Sequence, residues 1–80
     1  QNLAFYRLTP IQQKEVPHLF FVKGGAQLEL FVLSEKQFDI SDLPDGYMIN
    51  SGGFNVEIWR AEHNAYLLVY KNRDLTEFLE

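Results

Sequence analysis

Apolar and polar positions alternate with a period of two along most of the chain, the pattern of half-buried β-strands. Leu3 to Leu8 alternates imperfectly and predicts a first strand; Pro10 interrupts it, which puts it at a sheet edge or in an irregular arm. Ile11 to Glu15 is polar, and Gln12-Gln13-Lys14 within it predicts a connection or a hairpin turn. The clearest unit opens at Pro17: His18-Leu19-Phe20-Phe21-Val22, then Gly24-Gly25, then Gln27 to Leu33. A Gly pair supplies the positive φ that a two-residue hairpin turn needs. With these two as the loop, Phe21 falls opposite Leu28 and Leu19 opposite Leu30, with Val32 extending that face. His18, Phe20, Val22, Gln27, Glu29, Phe31 and Leu33 fall on the other.

Residues 34 to 46 read as the main loop. Leu43-Pro44-Asp45-Gly46 has turn chemistry, and Phe38 and Ile40 are placed to pin the loop to the core. Tyr47 to Asn50 predicts a short strand and Ser51-Gly52-Gly53 a turn. Phe54 to Arg60 alternates cleanly, with Phe54, Val56 and Ile58 on one face and Asn55, Glu57 and Trp59 on the other. Tyr66 to Tyr70 is apolar throughout, as a central strand covered on both faces would be. At the end the period changes. Asp74-Leu75-Thr76-Glu77 is a capping-box arrangement, and Leu75, Phe78 and Leu79 make a helical stripe too short to stand alone. The expected fold class is α+β: a five- to six-stranded antiparallel β meander with a short C-terminal helix packed on one face. Residues 1–80 are expected to form a single small domain.

The 80 residues can bury one modest core, and the seven Phe, four Tyr and one Trp supply its bulk. A net charge of −4, with Lys and Arg scattered, argues against nucleic acid and against a polybasic membrane surface. The absence of cysteine excludes disulfides, thiolate catalysis and Cys-based metal sites.

Candidate chemistry is thin. His18 and His63 lack the spacing of a metal pair, so a partly covered sheet residue and a solvated turn residue are the leading readings. Asp39, Asp42 and Asp45 fail the calcium-loop pattern, because Leu43 falls at a position that needs an oxygen ligand. Neither Gly pair is followed by G-K-[ST]. No serine sits in a nucleophile elbow. No cofactor, no metal and no catalytic residue is expected. Of the aromatics, Trp59 is the best candidate for the surface if the helix covers the opposite face. His18, Phe20, Phe31 and Trp59 are the expected ligand or partner surface.

Two stretches together carry a family resemblance. Pro17-His18-Leu19-Phe20-Phe21, Gly24-Gly25 and Leu30-Phe31-Val32-Leu33 form the first. Gly53-Phe54-Asn55-Val56-Glu57-Ile58-Trp59, followed by Tyr66-Leu67-Leu68-Val69 and the closing Asp-Leu-x-x-x-Leu helix, forms the second. In order and spacing they resemble the extracytoplasmic C-terminal domain of transmembrane anti-sigma factors, over about residues 16 to 80. The resemblance implies a non-enzymatic sensing and regulatory domain on the periplasmic side of a bacterial inner membrane. It implies one piece of a longer, membrane-anchored protein. The membrane would be met only through an upstream segment, and the sigma factor would be bound by that segment rather than by this one. Some members carry Cys just before the P-H-L strand; Leu8 and Pro10 stand there in this chain, so a redox role is not expected. Two further readings stay open from the residues alone. One is a small interaction module, with a protein partner or a homodimer. The other is a small hydrolase or metal-binding domain.

Overall fold

The computed structural model describes residues 2–71 and 74–79, with side chains for all of these except residues 2, 3 and 76–78. Six strands form one antiparallel sheet: β1 (Asn2–Ile11), β2 (Lys14–Lys23), β3 (Ala26–Ser34), β4 (Tyr47–Ser51), β5 (Phe54–Ala61) and β6 (Asn64–Lys71). Their order in the sheet is β1-β2-β3-β6-β5-β4. This corrects the expected simple meander. Two three-stranded meanders are joined by the long connection of residues 35–46, which carries the chain past β6 and β5 to the far edge. The physical reason lies in the strands. β6 is apolar on both faces and needs cover from both, so it takes the place beside β3, while β4 is short and exposed along its length.

The first hairpin is longer than the alternation suggested. Gln12 and Gln13 form the turn themselves, at φ of 50° and 66°, and Ile11 faces Lys14 across it. Two successive positive φ angles make a type I′ turn, whose twist suits a hairpin. β1 therefore runs through Pro10 as an edge strand. Ile11 and Lys14, flanking a two-residue turn, form a hydrogen-bonded pair, so every second residue back from Ile11 bonds β2 and Pro10 lies on the outward phase, where its missing N–H breaks no ladder bond. Pro17 has the opposite phase and would face β3. Correspondingly, the β2–β3 ladder stops at His18–Phe31. Within that ladder Phe21 faces Leu28 and Leu19 faces Leu30 across Gly24-Gly25, the register expected from the sequence.

The register divides the side chains between two faces. One carries Val16, His18, Phe20, Glu29, Phe31, Ala65, Leu67, Val56 and Ile58; the other carries Leu19, Phe21, Leu28, Leu30, Tyr66, Leu68, Tyr70, Glu57 and Trp59. Val16, His18, Ile58 and Ala65 are buried on the first face, and Ala26, Leu28 and Tyr70 on the second. Burial is thus shared between both faces, and most apolar strand residues are half-buried. Ile40, in the long connection, is buried as well, so the loop is pinned to the core as its sequence suggested.

The described fold is an all-β antiparallel sheet rather than a layered α+β domain. A six-residue helical stretch, α1 (Asp74–Leu79), follows β6. Its first residue reaches back to the β2–β3 hairpin: Gln27 N donates to Asp74 Oδ2 at 3.2 Å. The expected capping box and apolar stripe depend on Glu77 and Phe78, whose side chains lie outside the described residues.

Candidate functional site

The densest polar arrangement sits on the first face, across β1, β2 and β3. His18 pairs with Arg7 of β1 on one side and Phe31 of β3 on the other. Its diagonal neighbours on the same face are Thr9 and Glu29, close enough for long or polar side chains to meet. Thr9 Oγ1 lies 2.8 Å from His18 Nδ1, and Glu29 Oε1 lies 2.9 Å from His18 Nε2. Arg7 Nε donates to Thr9 Oγ1 at 3.1 Å. One proton arrangement satisfies every group: Thr9 accepts from Arg7 and donates to Nδ1, and Nε2–H donates to Glu29.

Aromatic rings close over this polar line. The Phe31 ring stacks on the imidazole at 3.9 Å between centroids, and the Phe20 ring lies tilted against it at 4.1 Å. The Arg7 guanidinium sits 5.3 Å from the Phe20 ring centroid, within cation–π range. His18 is left 3% exposed. A hydroxyl, an imidazole and a carboxylate in line is also the constellation of nucleophilic catalysis. Here the hydroxyl is held by Arg7 as well, and the imidazole is covered by two phenyl rings. The line links β1, β2 and β3.

The opposite face carries a second polar link. The Tyr70 hydroxyl donates to Glu57 Oε2 and lies 3.8 Å from Met48 Sδ. Burial pushes the Tyr70 phenol up to about 12, helped by the hydrogen bond to Glu57 and by the charge of that carboxylate. Trp59 is on this face too. Its ring stacks on Tyr66, its cross-strand partner, at 5.8 Å and 18°.

The long connection is held at several points. Lys14 Nζ donates to the Gln37 carbonyl and lies over the Phe38 ring. Arg60 N donates to Asp45 Oδ1 at 2.8 Å. Asp39 accepts from both the hydroxyl and the amide of Ser41, which holds its carboxyl below the usual range. His63 is exposed in its turn, with Nδ1 2.6 Å from Glu35 Oε1. Asp39 and Asp45 thus serve as turn and capping residues. Between the connection and the sheet, Ile11, Phe31, Leu33, Phe38, Val56 and Leu67 line an apolar hollow of about 320 Å³.

Of the four residues expected to form one surface, His18, Phe20 and Phe31 come together in a single stack, and Trp59 lies on the other face of the sheet. His18 is interior. The other three are half-buried. Large apolar side chains reach the surface at Phe5, Tyr6 and Leu8 on β1, at Tyr47, Met48 and Ile49 on β4, at Phe54 at the start of β5 and at Leu79 in α1. Period-two alternation did not single them out, since it separates faces and does not say which strand is outermost. The Thr9 and Arg7 ends of the polar line were also missed, because Gln12-Gln13-Lys14 reads as a connection or a hairpin turn without fixing its two loop residues, so β1 had no register. Among the described residues, no group of three or more His, Asp or Glu is placed to hold a metal ion, and no helix is long and apolar enough to cross a membrane. No family model, no curated protein and no solved structure matches the chain.

Proposed function

We propose that this chain is a non-enzymatic, extracytoplasmic sensing and regulatory domain of a membrane-bound anti-sigma factor. The observation that carries it is the order and spacing of the motifs, taken with the strands they occupy. Pro17–Phe21, Gly24-Gly25 and Leu30–Leu33 belong to the β2–β3 hairpin, and Phe54–Trp59, entered from the turn at Gly53, with Tyr66–Val69 to the β5–β6 hairpin. These hairpins are adjacent, as β2-β3-β6-β5. The resemblance therefore concerns the four central strands, the body of the fold, rather than isolated turns. The histidine of the P-H-L motif is the residue that ties β1, β2 and β3 together. That role supports a binding and regulatory domain over a catalytic one.

Packing of Asp74–Leu79 on one face of the sheet belongs to the same reading, supported by the bond from Gln27 N to Asp74. The domain would sit in the periplasm, attached through an upstream membrane segment, with the sigma factor held elsewhere in the protein. The test is the side of the membrane on which residues 1–80 reside in the encoded protein. A second reading, a small protein-interaction module, is favoured by the apolar side chains exposed on the two outer strands.

A further inference from the structure

β1 and β4 are the two edges of the sheet, and among the described residues each pairs with one strand only, β1 with β2 and β4 with β5. Soluble proteins blunt such edges with charge, proline or brevity. β4 has brevity, at five residues. β1 has neither brevity nor free charge over its middle. It is ten residues long, its proline is near one end, and its single charged residue, Arg7, is engaged on Thr9 and Phe20. Phe5, Tyr6 and Leu8 are 54%, 62% and 47% exposed.

The outward backbone groups follow from the first turn. Ile11 and Lys14 form the closing hydrogen-bonded pair, so the odd-numbered residues of β1 bond β2 and the even-numbered ones point outward. Ala4, Tyr6 and Leu8 thus present three N–H groups and three carbonyls to whatever lies beside them.

We propose that β1 pairs antiparallel with β1 of a second copy of this chain, centred on Tyr6, to make one continuous sheet across a two-fold axis. The self-complementarity of the strand selects both occupant and register. With Tyr6 opposite the partner's Tyr6, Ala4 meets the partner's Leu8, a small side chain against a large one. On the other face Arg7 meets the partner's Phe5. Its guanidinium already lies over Phe20, which is the cross-strand neighbour of Phe5 in β2, so the arrangement extends an existing cation–π contact. Pro10, with no N–H to give, falls at the periphery opposite the partner's Asn2. Sliding the pair by one step toward the C-terminus puts Arg7 against the partner's Arg7, like charges directly opposed, and Pro10 against Ala4. Sliding it the other way sets Leu8 against Asn2. An isologous β1–β1 pair closes on itself, whereas β1 on β4 would propagate into a filament. The inference specifies the interaction reading and is independent of the anti-sigma one: failure below leaves the membrane-side test untouched.

Sedimentation equilibrium of the 80-residue chain over a wide concentration range tests it. The expected result is a particle that doubles in mass as concentration rises. Tyr6→Pro removes an outward N–H without removing a β1–β2 bond and should leave a folded monomer, while Met48→Pro, at the corresponding outward phase of β4, should leave the dimer intact. A second measurement needs no proline. The chain has no cysteine, so Tyr6→Cys should form a disulfide-linked dimer under mild oxidation and Met48→Cys should not. A chain that stays monomeric at all concentrations, or a dimer lost or cross-linked through Met48 instead of Tyr6, overturns the proposal.

Discussion

Thr9, His18 and Glu29 reach one another from three strands, and each can be weighed separately. The imidazole fills the space between two phenyl rings and uses both nitrogens. His18→Ala would open a cavity there and leave Thr9 and Glu29 without their partner. Glu29 is partly exposed and can turn to water, so the packing loss dominates. A destabilisation of about 2–4 kcal/mol is expected by urea denaturation, with His18→Phe costing clearly less because it keeps the stack. An alanine variant as stable as the parent would mean that the polar line does not hold the strands. Much of this cluster was legible once Gly24-Gly25 set the β2–β3 register, since Phe20, Glu29 and Phe31 then share the face of His18. The burial of His18 was not, because its cover depends on how rings tilt and on a β1 register that polar glutamines do not announce.

Tyr70 gives a pH dependence with a definite sign. The ordinary value for its phenol, about 10, applies in an unfolded chain, and burial pushes it up to about 12 in the fold. Between these values the folded state holds a proton that the unfolded state has released, so stability falls as pH rises. Its contribution is fully present below about pH 10 and is lost as pH climbs through about 12. Alkaline unfolding followed by circular dichroism should show this decline, and Tyr70→Phe should flatten it. An unchanged slope in that variant would place the alkaline sensitivity elsewhere.

At the scale of elements, the first hairpin carries a backbone cost. Gln12 and Gln13 both hold positive φ, where a side chain with Cβ is disfavoured by about 1–2 kcal/mol per residue. Asparagine followed by glycine is the favoured type I′ pair. The double substitution Gln12→Asn with Gln13→Gly should therefore raise the melting temperature measurably, by about 1 kcal/mol or more in stability. No gain would mean the turn is not of this type. This same turn explains why the start of the sheet was read only in part, as Leu3 to Leu8. Pro10 looked like an interruption because its outward phase is set by a turn whose two loop residues the polar run Gln12-Gln13-Lys14 does not fix. The turns at Ser51-Gly52-Gly53 and Glu62-His63-Asn64 were readable as turns, and the one at Gly24-Gly25 with its register as well. The strand order was not. A connection of about a dozen residues lets β3 pair either with β4 or with β6, and only the two-sided hydrophobicity of Tyr66 to Tyr70 favours the latter.

For the whole molecule, the sheet's four central strands hold the strand motifs on which the anti-sigma resemblance rests, and its two edges carry Phe5, Tyr6, Leu8, Tyr47, Met48 and Ile49 exposed. The fold thus separates a central body from margins that carry exposed apolar side chains. The central claim is that this body works on the outer side of a membrane. Its most direct measurement uses the full encoded protein in cells, with alkaline phosphatase or a cytoplasm-only fluorescent protein fused after residue 80. An active phosphatase fusion with a dark fluorescent one, and a segment cut by protease added to spheroplasts, is the predicted result. A bright fluorescent fusion with an inactive phosphatase, and a protease-shielded segment, would contradict it.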